Sequence, residues 1–271
     1  MRLIYNNLAD IATITATNTS SGSITNLKNN RKSSVHRASN SVTYTLTWTS
    51  PQLINAVALP ATNLMPGSTI RVNMYSTTGS ATTHAFEITE AAGSSSTGKN
   101  VTLPGNITQP NYTHFSLGAA TKTSVWFPSV TSQTTQKLEI ILSNSIAIDC
   151  SRIVCGKYWE PTRQVSRGIT LGIQDSSEVS TTRNGDTYIN TTYIKETLNF
   201  ELQYFNDTDR KQLLDIFRTW GSNNFIYVSV FPDGTNTELM QTYSIYGRNS
   251  DLNMQYDIAG FYTTSLSIES W

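Results

Sequence analysis

A strict two-residue alternation over residues 41–49 most constrains the fold of this 271-residue chain. Val42, Tyr44, Leu46 and Trp48 alternate with a serine or threonine at each intervening position. Successive side chains of a strand point to opposite faces, so this pattern predicts a strand with one buried and one solvated face. Further short runs of this kind, separated by turn signals, recur through the first half of the chain and indicate a β-sandwich.

Composition excludes several classes of function. The chain has 19 basic and 19 acidic side chains, whereas proteins that hold nucleic acid or an anionic membrane need a basic surface. Serine and threonine make up roughly a quarter of the residues, which is above ordinary usage. No apolar run reaches the roughly 18 residues of a membrane helix, and the N-terminal residues lack the features of a signal peptide. We therefore expect no nucleic-acid partner, no membrane insertion and synthesis in a cytoplasm.

The two cysteines, Cys150 and Cys155, lie within or next to an apolar run over residues 146–154 that predicts one continuous strand. Five residues of strand span about 16 Å, whereas a disulfide joins Cα atoms within about 7 Å. An odd separation also directs the two side chains to opposite faces. We therefore expect two reduced thiols that are buried or half-buried, as in a protein made in a reducing cytoplasm.

A change of pattern around Pro161 predicts two domains, residues 1–156 and 166–271, with a linker at 157–165. The second half reads as strands, one helix and further strands, which indicates an α+β unit with a sheet or barrel and a helix against it. Asn184-Gly185-Asp186, between two short polar strands, is a strong hairpin-turn signal.

One segment of the second half has helical spacing. Leu213, Phe217 and Trp220 recur on one face, Asp207 or Thr208 is placed to cap the N-terminus, and a glycine follows the last apolar residue. The pattern predicts a helix from about residue 208 to residue 220, with a strand from Met240 to Tyr246 further along the chain. We expect the face carrying Phe217 to pack on the sheet of the same domain.

Residues with catalytic or metal-binding chemistry are scattered. His36, His84 and His114 lie far apart without a Cys, Asp or Glu at ligand spacing, which favours surface positions for all three. Asp175 and Glu178 could face a cleft as the paired carboxylates of glycosidases do, but their polar setting favours a turn that leads into a hairpin. The sequence therefore predicts no catalytic, metal-binding or cofactor-binding residues and a protein that is not an enzyme.

Tryptophans on threonine-rich strands have two interpretations. A flat aromatic face can stack on the C–H side of a sugar ring while neighbouring polar groups bind the hydroxyls. Trp48 and Trp126 are the candidates for such glycan stacking. Their core-facing positions in the predicted strands, and that of Trp159, favour core packing instead.

The most basic stretch of the chain, residues 28–32, is followed by His36 and Arg37. A solvated loop is the favoured interpretation. A contact with a partner subunit or with DNA is the alternative, and the neutral chain makes DNA the weaker of these two partners.

Two stretches of the first half resemble the galactose-binding-like (discoidin-type) jelly rolls found in phage tail proteins. Residues 55–67 with 69–75 resemble their early strands. Residues 137–142 with 148–161 resemble their closing strands, including the aromatic-Glu-Pro exit seen in siphophage tail-tip proteins. In the second half, the strand at 168–173, the Asn184 hairpin, the helix and the closing strand resemble the tail-tube-like fold of phage tail and baseplate proteins.

The resemblance implies a mainly β protein with an N-terminal jelly-roll β-sandwich and a C-terminal tail-tube-like β-sandwich or barrel with one α-helix. It implies a structural component of a phage tail tip or baseplate that forms a homo-oligomeric ring, such as a hexamer or trimer, and contacts tube and hub proteins in the virion tail. Asn184, Gly185 and Asp186 would then lie at the subunit interface. The alternative is a carbohydrate- or receptor-binding, lectin-like module of a phage tail or fibre that binds a host-surface glycan.

Overall fold

The strands of the protein are antiparallel throughout the part of the chain that its computed structural model describes, and the predicted mainly β fold is confirmed. The described residues are 1–64, 68–75, 86–90, 100–102, 121–126, 134–165, 168–190, 193–221, 223–232, 237–249, 252–258 and 260–271.

Twelve strands and two short 3-10 helices, Leu8–Asp10 and Ile24–Lys28, form the described part of the first half. The strands are β1 (Arg2–Ile4), β2 (Thr13–Ala16), β3 (His36–Ala38), β4 (Ser41–Leu53), β5 (Ala56–Thr62), β6 (Thr69–Tyr75), β7 (Phe86–Glu90), β8 (Asn100–Thr102), β9 (Thr121–Trp126), β10 (Thr134–Ser143), β11 (Ile148–Cys150) and β12 (Val154–Gly156).

Strands β2 to β12 build a β-sandwich of two sheets around a shared core. One sheet has the order β2-β4-β10-β6-β7, and the other has the order β3-β11-β5-β9-β8 with β12 also paired to β5. The alternation predicted for β4 is confirmed, since Val42, Tyr44, Leu46 and Trp48 are all buried. Tyr44 and Leu46 lie opposite Ile140 and Leu138 of β10, so apolar side chains meet across the ladder on the face that closes the core.

Cys150 and Cys155 do not belong to one strand, so the prediction of a continuous strand over residues 146–154 is wrong. Cys150 ends β11 and Cys155 lies in β12, and both strands pair with β5. The intervening residues leave the ladder, where Ile153 N donates to Leu27 O over 3.2 Å. Both thiols are free and buried in the sandwich core, as expected, and burial raises the pKa of Cys150 to about 12.

His36 is fully buried, so the prediction of a surface position for this histidine is wrong. It lies in β3, where its two ring nitrogens are 2.9 Å from Thr19 Oγ1 and 3.1 Å from Tyr44 Oη. Two hydrogen-bond partners allow a polar ring to be buried at little cost. His84 and His114 lie outside the described residues.

The second half contributes nine strands and two helices to the described structure. The strands are β13 (Tyr158–Trp159), β14 (Thr170–Asp175), β15 (Glu178–Thr181), β16 (Thr187–Asn190), β17 (Ile194–Phe205), β18 (Phe225–Ser229), β19 (Ser244–Asn249), β20 (Asn253–Ile258) and β21 (Phe261–Ser270). The helices are α1 (Asp207–Trp220) and α2 (Thr237–Thr242).

The main sheet of the second half has the order β13-β1-β18-β19-β21-β17-β14, with β20 also paired to β21. Its terminal strands, β13 and β14, do not pair with each other among the described residues, so the sheet is open rather than a closed barrel. The sheet takes β1 from the N-terminus of the chain: Leu3 lies opposite both Trp159 of β13 and Val228 of β18. Domain boundaries at 157–165 stay a prediction, but residues 2–4 belong to the sheet of the second half.

Helix α1 begins one residue before the predicted position. Its N-cap is Asn206 rather than Asp207 or Thr208, and the Asn206 side-chain oxygen accepts from Asp209 N over 2.8 Å. Leu213 is buried in the core, whereas Phe217 is only partly buried against it.

A second helix replaces part of a predicted strand. Residues 240–242 belong to α2, and β19 begins only at Ser244. Ser244 Oγ donates to Met240 O over 2.5 Å, a hydrogen bond across four residues that belongs to the end of a helical turn.

Candidate functional site

Strands β15 and β16 form a two-stranded sheet that is separate from the main sheet. In the chain they lie between β14 and β17, whose ladder ends at the pair Asp175 and Ile194. We call residues 176–190 the hairpin arm. In its ladder Val179 lies opposite Ile189, and Ser180 lies opposite Tyr188. Every residue of both strands is exposed, so neither face of the arm packs on the described core.

The tip of the arm holds the three residues predicted for a subunit interface, Asn184, Gly185 and Asp186. Gly185 has a φ of 89°, a conformation that favours glycine, and its N–H donates to Thr182 O over 3.0 Å. Thr182 also binds Asp186 twice, by N–H to Asp186 O over 2.8 Å and through Oγ1, which accepts from Asp186 N over 3.1 Å. The turn is held by these hydrogen bonds and is exposed, and an interface at this tip stays a prediction.

A local hydrogen-bond network fixes the base of the arm. Asp175 Oδ1 accepts from Ser177 N over 2.9 Å and from Ser177 Oγ over 2.6 Å, and these bonds lower the pKa of the Asp175 carboxyl. Ser176 N donates to Tyr193 O over 3.1 Å. Asp175 ends β14 and Glu178 begins β15, so the two carboxylates flank the short turn that leads into the hairpin, which confirms the interpretation favoured for them.

Apolar side chains are concentrated on the arm and beside it. Val179 is 66% exposed, Tyr188 is 63% exposed and Ile189 is 58% exposed. Ile173 of β14 and Ile194 of β17 are also exposed at the base. Isolated two-stranded hairpins are marginally stable in water, and apolar patches on a surface mark sites of interaction. Val179 and Ile189 lie opposite each other and share one face of the arm, whereas Tyr188 lies on the other face, so both faces expose apolar groups.

A cleft of about 850 Å³ lies between β13, the segment that follows it, and one face of α1. Aromatic or apolar groups line part of it, and amide, carboxylate, hydroxyl and ammonium groups line the rest. The lining residues are Tyr5, Asn55, Lys157, Tyr158, Trp159, Glu160, Pro161, Thr162, Gln164, Gln212, Asp215, Ile216, Thr219 and Trp220.

Side-chain hydrogen bonds hold the two walls of the cleft in place. The indole N–H of Trp159 donates to Gln212 Oε1 over 3.0 Å and so joins β13 to α1. Glu160 accepts from Arg2 Nε over 3.0 Å and from Gln164 Nε2 over 2.8 Å. Sequence reasoning missed this cleft, because its walls come from segments that are about fifty residues apart in sequence.

Trp48 and Trp126, the candidates for glycan stacking, are buried in the interior. Trp48 is 4% exposed and its indole N–H donates to Leu8 O over 2.9 Å. Trp126 is 1% exposed and its ring lies 5.6 Å from that of Tyr158 and 6.1 Å from that of Tyr227. Neither indole presents a face to solvent, so these residues pack in the core, as favoured for them, and a sugar would need the surrounding strands to open.

The basic stretch at residues 28–32 packs against its own chain. Lys28 Nζ donates to Ala12 O, and Asn30 Oδ1 accepts from Tyr246 Oη over 2.8 Å. Burial lowers the pKa of Lys32, whose ammonium interacts with Glu196. The contacts of Asn30 and Lys32 reach the second half, whereas that of Lys28 stays within the sandwich. Lys28 and Lys32 are half-buried, so the solvated-loop interpretation is wrong for these two residues, while Asn30 is exposed as a solvated loop predicts.

Neither a metal-binding cluster nor a membrane-spanning helix occurs within the described ranges. No group of three or more His, Cys, Asp or Glu side chains there is arranged to hold a metal ion. No helix among those residues is long and apolar enough to cross a membrane.

Comparison with known proteins gives weak structural similarities only. No protein-family model matches the chain, and no curated protein matches it significantly. The lectin domain of lectinolysin, solved with Lewis B antigen, is 12% identical with a TM-score of 0.38, and the alignment covers 56% of this chain and 96% of that one. A fucose-binding module from Streptococcus pneumoniae is 12% identical with a TM-score of 0.38, covering 57% and 99% of the two chains.

A fucolectin from the serum of striped bass, Morone saxatilis, is 10% identical with a TM-score of 0.35, and the alignment covers 97% of this chain and 92% of the fucolectin. All three similar structures are carbohydrate-binding domains by description. TM-scores below 0.5 at such low identity do not transfer a ligand or a function to this chain.

Proposed function

We propose that this chain is a non-enzymatic structural protein that assembles with copies of itself into a ring through its hairpin arm. The observation that carries the proposal is the arm itself, whose strands are exposed on both faces and carry Val179, Tyr188 and Ile189 in solvent. The sequence resemblance supports placing the ring at the distal end of a bacteriophage tail. On this proposal the protein is made in the host cytoplasm, and it contacts the tube and hub proteins of the virion.

Physical chemistry favours a second copy of the chain as the partner that covers the arm. Identical copies that carry no net charge do not repel each other at long range. The arm presents both signs of charge, with Arg183 and Asp186 near the tip and Glu178 near the base. Apolar groups with interspersed opposite charges are typical of interfaces in symmetric assemblies, in which each copy covers its neighbour.

The mass of the purified full-length protein in solution tests this proposal. We expect wild type to form a discrete oligomer in native mass spectrometry and a ring in negative-stain micrographs. The double variant Val179→Ser/Ile189→Ser removes the apolar pair from an exposed ladder, so it should fold normally and lose the oligomer. The matched control is Ile11→Ser, which changes another exposed isoleucine in the first half of the chain.

Two results would contradict the proposal. One is a wild-type protein that stays monomeric at high concentration and is absent from purified tails. The other is an arm variant that keeps the native oligomer, because this result would remove the arm from the interface.

Carbohydrate binding is the second candidate function, and the cleft beside α1 is the observation that favours it. Two tryptophans and two tyrosines border the cleft together with amide and carboxylate groups, which is the combination that sugars require. The weak similarities to lectin domains add no weight to this candidate. A glycan array probed with full-length protein tests it: binding to a defined glycan supports it, and no binding to any printed glycan counts against it.

A further inference from the structure

One face of α1 presents a polar and aromatic set of side chains to the cleft. Gln212, Asp215 and Thr219 follow one another at intervals of three and four residues, and Trp220 is next to the last of them. Residues three, four and seven apart lie on the same side of a helix. The helix therefore places an amide, a carboxylate, a hydroxyl and an indole along a single wall.

The polar groups of this wall are available to a ligand. Gln212 Oε1 already accepts the indole N–H of Trp159, so the two amide hydrogens of Gln212 remain as donors. The Asp215 carboxylate makes no hydrogen bond or ion pair with another described residue, and its side chain is exposed. A carboxylate has two acceptor oxygens side by side, which matches a pair of adjacent hydroxyl groups.

An aromatic surface accompanies these groups. Trp220 is half-buried, since it packs against the core of the second half while it also borders the cleft. Tyr5 is half-buried in the same way. An indole anchored on one side offers a fixed, flat, apolar surface, and ring stacking on it needs little further ordering of the side chain.

The charge of the cleft selects against anionic ligands. Lys157 is the one cationic residue among the described side chains that line it, and Asp215 and Glu160 are the carboxylates. Glu160 is already paired with Arg2. Phosphate, sulfate and carboxylate groups are bound by clusters of donors or by arginine pairs, which this lining does not offer. The volume of about 850 Å³ falls within the range of about 300–1,000 Å³ of small-molecule sites.

We infer that the cleft between β13 and α1 binds a neutral oligosaccharide, with a sugar ring stacked on Trp220 and its hydroxyls bound by Asp215 and Gln212. The inference rests on the carbohydrate-binding candidate proposed above and assigns it a site at the junction of the two halves. This site is separate from the hairpin arm.

Binding measurements on an array of neutral and acidic glycans, followed by titration in solution, test the inference. We expect full-length wild type to bind neutral glycans and not their sialylated or sulfated forms, with a change in tryptophan fluorescence on titration. Asp215→Ala should lower the affinity for the best neutral glycan about tenfold or more, because hydrogen bonds to a charged group are worth about 1.5–3 kcal/mol. Trp220→Phe should lower it less than Trp220→Ala.

Arg218→Ala is the matched control, since it removes an exposed charge from the same helix outside the cleft lining and should leave the affinity unchanged. Thermal unfolding of each variant separates loss of binding from loss of folding. If a neutral glycan binds equally well to Asp215→Ala and wild type, the cleft is not its site, although carbohydrate binding itself stands. If only acidic glycans bind, or none does, the inference of a neutral oligosaccharide site is overturned.

Discussion

His36 is a buried titratable residue that connects the two sheets of the sandwich. It belongs to β3 of one sheet, and its ring nitrogen Nδ1 lies 3.1 Å from Tyr44 Oη in β4 of the other. Its neighbour Arg37 binds Asp149 through two contacts of 2.6 Å. Burial lowers the pKa of His36, so the neutral ring is the form that the folded protein prefers.

The stability of the sandwich should therefore depend on pH through His36. The pKa of histidine in the unfolded chain is about 6.5, and the folded value lies below it. The unfolded state consequently binds the proton more readily, so stability is full above pH 6.5 and falls as the pH drops from about 6.5 towards the folded pKa. Urea unfolding of wild type at pH 8, 7, 6 and 5 should show a falling free energy of unfolding.

The variant His36→Gln is the control for this prediction, because glutamine retains hydrogen-bonding groups but does not titrate. Its free energy of unfolding should be lower at pH 8 and should change less between pH 8 and pH 5. Equal pH dependence in the two proteins would show that another group is responsible.

At the scale of the element, fewer side chains of α1 are fully buried in the core than its sequence indicates. The spacing of Leu213, Phe217 and Trp220 predicts a face in which all three are core residues, with a cost of about 3–5 kcal/mol for Phe217→Ala. In the structure Leu213 is fully buried, whereas Phe217 and Trp220 are only half-buried. Trp220 also borders the cleft, which Leu213 and Phe217 do not line.

Truncation should therefore be more damaging at Leu213 than at Phe217. Leu213→Ala removes buried side-chain atoms and leaves a cavity, so we expect it to destabilise the protein by about 2–5 kcal/mol. Phe217→Ala should cost less, since part of its ring is already in solvent. Exposed Arg218→Ala should stay within about 0.5 kcal/mol of wild type. Urea unfolding at one pH measures all three, and a larger loss at Phe217 than at Leu213 would contradict the packing described.

Elements with a strong local pattern could be predicted from the sequence, and elements that depend on distant partners could not. The strand β4 and the helix α1 each carry a periodicity that is long enough to identify them. Strand β1 has three residues, which are too few for a pattern, and its partners Trp159 and Val228 are more than 150 residues away. The Cys150–Cys155 segment shows an apolar run with no local sign of its break at residues 151–153.

The candidate sites differ in the same way. The hairpin turn at Asn184-Gly185-Asp186 is a local signal, and the structure places a hairpin there. The cleft depends on the approach of Trp159 to Gln212, which tertiary packing alone determines. Burial of Trp48 and Trp126 follows the core-facing positions that their strands predict.

At the scale of the whole molecule, the two halves are joined by more than the chain between them. Arg152 is buried, and its guanidinium donates to Tyr246 Oη over 3.1 Å and to Asp10 Oδ2 over 2.8 Å. Lys122 Nζ of the sandwich lies 2.6 Å from Glu196 Oε2 of β17. These contacts and the pairing of β1 with β18 therefore join the two halves non-covalently.

Cutting the chain between the halves should therefore not separate them. Insertion of a site-specific protease sequence after Arg163, in an exposed segment, allows one cut near the predicted domain boundary. Because β1 lies between β13 and β18 and Leu3 is fully buried, the two fragments should co-elute in gel filtration under native conditions and separate in denaturant. Leu3→Asp would bury a carboxylate without a partner, so it should weaken the pairing of β1 with β18. The cut fragments of this variant should then dissociate. Wild-type fragments that separate without denaturant would show that the halves are independent domains.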